Sequence, residues 1–233
     1  MFCMFYFGDA IDGLVKKTGC APYDEMPYQQ LAQKIGAKSL VLLEQIHGKI
    51  GVVVDAPLSG NELCLRPGDF LITNVPGVAI GVLTADCVPI ICIDESKQVV
   101  AVIHAGWRGA VSGVIETCFD AMGTRFGCCA QDLKCMIGPC GGACCYQVSD
   151  DFCAQTGDPC VASFFVKQSH GHMFDLVGYV KNRMLKAGVP AHNIDDTHHV
   201  CTICHTHYCS WRRDQNDQRN ATVAMINSKN NIK

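Results

Sequence analysis

The sequence predicts a layered α/β or α+β fold with a mixed sheet, in a single domain. Three observations support this. Short apolar runs rich in β-branched residues recur, each bounded by Gly, Pro, Asn or Asp. Two longer segments carry apolar residues at helical spacing. Strands and helices interleave without strictly alternating, which argues against a purely parallel doubly wound sheet.

In chain order, residues 23–35 read as a helix of modest regularity, and 39–43 and 50–54 as strands. Residues 55–68 (DAPLSGNELCLRPG) are rich in turn formers and read as a loop. Strands follow at 78–83, 88–93 and 99–103, and the polar turn 94–98 makes the last two a hairpin. Across 110–122, Val111, Val114, Ile115, Cys118, Phe119 and Met122 fall on one helical face. Phe174, Val177, Val180, Met184 and Leu185 do the same across 174–187, where Gly188 and Pro190 end the helix. Residues 221–226 form a last strand, and 228–233 read as a short tail. No repeat or linker divides the 233 residues, so 1–233 is read as one domain.

Composition narrows the function. The chain is 48% hydrophobic and 18% charged, as soluble globular chains are. Nineteen basic against 22 acidic residues give a net charge of −3, which argues against a nucleic-acid binder. No apolar run reaches membrane-spanning length, and residues 1–8 lack the basic leader of a signal peptide. The 17 cysteines are an odd number, so at least one cannot pair within the chain. A cytoplasmic protein with reduced thiols, most of them small buried hydrophobes, is the expectation.

Three segments place a reactive side chain beside small residues at the end of a strand-like run. They are Gln45-Ile46-His47-Gly48, Thr84-Ala85-Asp86-Cys87 and His104-Ala105-Gly106-Trp107-Arg108-Gly109. His47, Cys87 and His104 make a zinc set with an open fourth position, the arrangement of catalytic zinc. Asp86 is the candidate for orienting a ligating imidazole. Arg108, at the start of a helix, suits an anion. Spacing alone does not separate this triad from three unrelated buried residues. Residues 198–209 hold Cys201-x-x-Cys204 with His205 and His207, which reads as a half-site for a structural metal, as a metal- or redox-sensing module, or simply as a Cys- and His-rich loop; Cys140, Cys144 and Cys145 are the nearest candidates for a second half-site. Arg212 and Arg213 suit phosphate or carboxylate, with a surface network as the alternative.

Together these segments resemble the YfiH-like family, also called the laccase-domain or purine nucleoside phosphorylase family. The resemblance rests on QIHG, PGDFLITNVPGVAIGVLTADCVPIICID, VIHAGWRGAVSG, IGPCGGACCYQV, the CT of VCTIC, and SWRRD, in the family's order along almost the whole chain. It implies a layered α-β-α sandwich with mixed sheets, and zinc held by His47, Cys87 and His104. It implies phosphorolysis of purine nucleosides (adenosine, inosine, guanosine and methylthioadenosine) with adenosine deamination beside it. Its small-molecule partners would then be nucleosides and phosphate, with Gln45, Asp86, Arg108, Arg212 and Arg213 as candidate binding groups. Copper-dependent polyphenol oxidation, with copper in place of zinc, also travels with the family name. So does hydrolytic editing of peptidoglycan precursors, which Cys87 and His104 could perform as nucleophile and base. The chain departs from the family pattern at Gln147, where an acidic residue is usual, at YCSWRRD for FFSYRRD, and at Gln218-Arg219-Asn220.

Overall fold

The apolar runs become strands of two six-stranded sheets that lie face to face. The computed structural model describes residues 2–16, 25–168 and 171–228. The first sheet runs β1 (Cys3–Phe7), β15 (Gln218–Ile226), β7 (Val78–Thr84), β3 (Ser39–Glu44) and β5 (Glu62–Pro67), with β2 (Leu14–Val15) also on β15. It is mixed, because β15 is antiparallel to β1 and β7 while β3 is parallel to β7 and β5. The second runs β14 (Ile194–Asp195), β10 (Lys134–Ile137), β8 (Val88–Asp94), β9 (Val99–Ala105), β6 (Phe70–Thr73) and β4 (Gly51–Val54). Its centre is antiparallel and both its edge pairs are parallel. A small third sheet joins β11 (Gln147–Val148), β13 (Gly171–Phe174) and β12 (Phe165–Gln168).

Side-chain alternation sets the layers. Val78, Ile80 and Val82 of β7 meet Leu71, Ile91, Val100 and Val102 of the second sheet. The opposite face of the first sheet, with Leu40, Leu42, Ala79 and Val223, packs on α1 (Met26–Lys34). The opposite face of the second sheet, with Ile90, Val99, Ala101 and Ile103, packs on α2 (Trp107–Ser112), α3 (Val114–Phe126) and α5 (Leu176–Lys186). The α/β sandwich with mixed sheets is therefore present, and its middle layer is double. Strands β7, β8 and β9 are buried at every position, which is why they read as continuous apolar runs.

Several boundaries differ from the sequence reading. The 110–122 helix starts earlier, at Trp107, and breaks at Gly113, whose left-handed backbone (φ 94°) lets α3 leave in a new direction. The 174–187 helix begins at Leu176, because the Asp175 side chain caps the amide of Gly178 at 2.8 Å. Phe174 ends β13 instead and is fully buried. The 55–68 loop contains β5, an edge strand whose turn formers disguise it. The hairpin of β8 and β9 forms as expected, its turn closed by Asp94 accepting from Ser96 and Lys97. Tyr23 and Asp24 of the first helix and residues 229–233 of the tail lie outside the described residues. No helix among the described residues is long and apolar enough to cross a membrane.

Candidate metal centre and its cavity

Two connections and one strand end from the two sheets converge at one edge of the sandwich. His47 follows β3, Cys87 sits in the turn between β7 and β8, and His104 lies near the end of β9. Their donor atoms all lie within 4.8 Å of one another. The two rings meet edge to face with centroids 4.8 Å apart.

Asp69 organises two of the three. Fully buried at the head of β6, it accepts hydrogen bonds from the backbone amides of His47 (2.9 Å, Oδ1) and Gly48 (2.6 Å, Oδ2). The same Oδ1 lies 2.8 Å from Nδ1 of His104, and the Asp69 carbonyl accepts from the His104 amide at 2.7 Å. One carboxylate thus fixes the backbone of one imidazole and the ring of the other, leaving Nε2 of His104 for the cluster. The sequence reading gave that role to Asp86, and here the structure corrects it. Asp86 is buried, but its carboxylate accepts from Thr202 Oγ1 (2.7 Å) and the Arg212 amide (2.8 Å), and holds the turn before Cys87 in a left-handed conformation (φ 84°). Gly106 completes the site from the other side. A Cβ there would stand 3.0 Å from Cys87 Sγ and 3.1 Å from His47 Cδ2, so a side chain would crowd both.

The charges form a coupled pair. Burial pushes the Cys87 thiol up, but the charge of His104 and hydrogen bonds from His104 and His47 outweigh it and hold the thiol at about 6. Burial disfavours the His104 imidazolium, yet the Cys87 thiolate and the Asp69 carboxylate raise it to about 9. Burial likewise pushes Asp69 up, and His104 brings it below the ordinary carboxylate value. Two imidazole nitrogens and one thiolate within this spread fit a borderline-soft divalent ion with a position left open.

The triad opens onto a cavity of about 440 Å³, within the range of small-ligand sites. Its walls carry Lys16, Arg108, Arg212 and Arg219 against Asp86 and Asp217, so basic groups outnumber acidic ones. Trp107, Tyr146 and Trp211 supply aromatic faces. Arg108 is exposed, stacks 4.3 Å from the centre of the Trp107 ring and enters no salt bridge among the described residues. Arg212 lies 4.1 Å from the centre of the Tyr146 ring and donates to the Gln147 carbonyl at 2.6 Å.

Two candidate groups are already engaged. Gln45 lines the cavity, but its amide exchanges two 2.8 Å hydrogen bonds with the backbone of Leu83. Arg213 points away from the cavity, donating to the carbonyls of Thr202 (2.7 Å) and Tyr208 (2.6 Å) and pairing with Asp214 (2.6 Å). The sequence reading missed Asp69, Lys16, Tyr146 and Trp211 as site residues. Only Asp69 carried a signal, as an ionisable residue heading the apolar run Phe70-Leu71-Ile72.

The half-site at Cys201 and Cys204 does not gather His205 and His207, both of which are exposed. Its partners are Cys144 and Cys145. Cys140 stays out of the cluster; it is fully buried, in a backbone bridge to Cys201.

A family model described as multi-copper polyphenol oxidoreductase laccase matches residues 25–227. Adenosine deaminase RL5, from an unknown prokaryotic organism, is 33% identical over 204 residues, covering 78% of this chain and 74% of that one. A purine nucleoside phosphorylase of Xylella fastidiosa is 32% identical over 203 residues, covering 84% of this chain and 76% of its own. Among solved structures, the hypothetical protein YfiH of Bacillus licheniformis shares the fold with a TM-score of 0.76, at 23% identity, covering 86% of this chain and 79% of that one.

Proposed function

The chain belongs to the YfiH-like laccase-domain family, and on that footing we propose that it is a zinc-dependent purine nucleoside phosphorylase with adenosine deaminase activity. Its substrates would be adenosine, inosine, guanosine and methylthioadenosine, and its location the cytoplasm, where the fifteen free cysteines of the described residues stay reduced. One observation carries the reading: the His47, Cys87 and His104 donors face the same cavity as Arg108, Arg212 and three aromatic rings.

His47, Cys87 and His104 would hold the ion, which when bound supplies Lewis acidity toward a water or substrate oxygen. The remaining work belongs to the chain's own groups. In phosphorolysis a phosphate oxygen bonds to C1′ of the ribose as the bond from C1′ to the base breaks. The base takes a proton and leaves as free purine, giving ribose 1-phosphate. Arg108 and Arg212 hold the phosphate by charge-assisted hydrogen bonds, with Lys16 and Arg219 adding to the positive field. An anion held there stabilises the positive charge that develops on the ribose. Trp107, Tyr146 and Trp211 offer faces on which a purine stacks. Deamination adds water at C6 of adenosine and releases ammonia, giving inosine. Asp69 keeps the His104 ring aimed through either reaction.

The test measures metal content and turnover on one preparation, with adenosine, with and without phosphate. The expected result is zinc in the triad, phosphate-dependent adenine with ribose 1-phosphate, and inosine. Cys87→Ala should lose that zinc and both activities. Full activity in a metal-loaded Cys87→Ala protein would overturn the reading. A second reading is favoured by the Cys87 thiol held near 6 beside His104: a Cys–His hydrolase such as an editing amidase. Activity that survives exhaustive chelation and dies on alkylation selects it. Polyphenol oxidation by several coupled coppers is not supported, because the two metal-ligand clusters among the described residues are this triad and a set of four thiols.

A further inference from the structure

Outside the cavity, four thiols converge. The sulfurs of Cys144, Cys145, Cys201 and Cys204 all lie within 4.8 Å of one another. They come from two irregular loops, one between β10 and β11 and the other between β14 and α6 (Trp211–Asp214). We propose that these four cysteines form a second, structural zinc site that ties the two loops together and fixes the cavity wall they build. This site is independent of the nucleoside reading.

Geometry supports it in three ways. First, Cys204 Sγ lies 3.0 Å from Cys145 Sγ and 3.4 Å from Cys144 Sγ. A tetrahedron of four sulfurs at about 2.3 Å from zinc has edges of about 3.8 Å, so a small outward movement seats the ion. One disulfide would satisfy a single neighbour of Cys204 and leave the other thiols crowded, whereas a shared cation satisfies all four. Second, Cys201 and Cys204 have the C-x-x-C spacing of a zinc half-site, and the Gly142 amide donates to Cys201 Sγ at 3.3 Å. Such a donor stabilises a thiolate and fixes its direction. Gly142 itself makes room, since a Cβ there would stand 3.4 Å from the sulfurs of both Cys144 and Cys201. Third, the two loops already meet without belonging to a common sheet: the Cys140 amide donates to the Val200 carbonyl at 3.1 Å and the Thr202 amide to the Cys140 carbonyl at 3.0 Å, in an isolated bridge that places the four sulfurs side by side. A metal that closes a long irregular connection offsets much of its ordering cost.

The clip has a function. Cys145 is followed by Tyr146, a wall of the cavity, and Cys201 by Thr202, whose hydroxyl holds Asp86 beside Cys87. Four sulfurs leave no open position, so the ion is structural. Binding converts the thiols to thiolates and releases their protons, with no change of oxidation state.

The test counts zinc in reduced full-length protein and replaces it with cobalt(II), whose absorption spectrum distinguishes a four-sulfur site from a one-sulfur site. Wild type is expected to bind two zinc ions per chain. Cys201→Ser with Cys204→Ser should keep one, and Cys87→Ser should keep the other. The four-sulfur cobalt spectrum should appear in wild type and Cys87→Ser and vanish in the double variant. Should the double variant not fold, cobalt titration of wild type and Cys87→Ser decides alone. The proposal is overturned if reduced wild type never shows the four-sulfur spectrum. It is overturned equally if the zinc content of a folded double variant equals that of wild type, or if peptide mapping finds Cys204 in a disulfide with no second metal bound.

Discussion

Asp69→Asn removes one charge and disturbs one hydrogen-bond array, and both effects can be sized. The carboxylate receives three N–H groups: the His47 amide and His104 Nδ1 on Oδ1, and the Gly48 amide on Oδ2. Asparagine offers one carbonyl and one amino group. With its carbonyl toward His104 and His47, the amino group faces the Gly48 N–H, and the 2.6 Å bond is lost. A buried charge-assisted bond contributes about 1.5–3 kcal/mol, so metal-stripped protein should lose about 2–3 kcal/mol of stability. For a chain of this size that is a fall in Tm of about 4–12 °C. The His104 ring also loses the anion that raises its basicity. Loss of such a partner weakens metal binding by about 10–100-fold. Competition against a chelator of known affinity measures the second effect, and thermal unfolding of the stripped protein measures the first. Asp94→Asn is the control. Its buried carboxylate accepts from the Ser96 hydroxyl and the Lys97 amide at the end of β8 away from Cys87 and touches no imidazole, so it should lower Tm and leave triad zinc affinity unchanged. An Asp69→Asn protein with lowered Tm and wild-type zinc affinity would refute the assignment: Asp69 would then be a backbone clamp only.

Gly106→Ala places a methyl 3.0 Å from Cys87 Sγ, so it should weaken triad zinc binding, as the same chelator competition measures, while the protein still folds. Arg108→Ala should raise the KM for phosphate and leave Tm near wild type, as steady-state kinetics and a melting curve would show. Arg213→Ala should do the reverse, lowering Tm through about 2–3 kcal/mol of lost carbonyl capping without changing that KM. The pH dependence of metal-stripped protein follows from the coupled pair. Cys87 falls from its ordinary 9.0 to about 6, so alone it adds stability as pH rises across that window. His104 rises from 6.5 to about 9, so its contribution is complete below 6.5 and fades as pH climbs to 9. The two slopes oppose each other, and stripped stability should be nearly flat between them. Alkylation of Cys87 in that protein should accelerate through about pH 6; acceleration only near pH 9 would show that the imidazoles do not hold the thiolate.

What could be read in the sequence follows from how far each interaction reaches. Strands β7, β8 and β9 were legible because burial on both faces leaves an unbroken apolar run. Strand β5 was not, because it is an edge strand ending in Pro67 amid turn formers. Spacing could not assemble the triad, since 40 and 17 residues separate its members and only the ordered family motifs joined them. Asp69 was hidden for a related reason. Its partner His104 is 35 residues away, and they meet because β6 lies beside β9 in the sheet. The four-thiol cluster was half legible, since Cys144 and Cys145 stood among the candidates for the second half of the site. His205 and His207 looked like the natural partners of Cys201 and Cys204 because they are close in sequence, yet the chain carries both to solvent and brings Cys144 and Cys145 in from about sixty residues upstream. Paired arginines were legible as cations, but not that Arg213 is held by a ring of carbonyls while Arg108 stays available.

Two buried carboxylates explain why the site can keep strained backbone at all. His47 and Asp86 both adopt left-handed conformations (φ 58° and 84°) that non-glycine residues seldom keep without support. In each case a carboxylate receives donors from a distant segment. Asp69 takes the His47 and Gly48 amides at one turn, while Asp86 takes the Thr202 hydroxyl and the Arg212 amide at the other. The first anchor belongs to the second sheet and holds a residue carried by the first. The second anchor belongs to the turn that joins the two sheets and holds the C-terminal loop. Strain at each of these two turns is therefore offset from outside its own connection, so neither turn can relax unless the packing between sheets and loop gives way. That arrangement lets two short connections and the end of strand β9 hold three donors within 4.8 Å. It also places the loop tied by the four thiols one residue from the Asp86 anchor, through Thr202, so loosening that loop acts on the geometry of Cys87 without touching it.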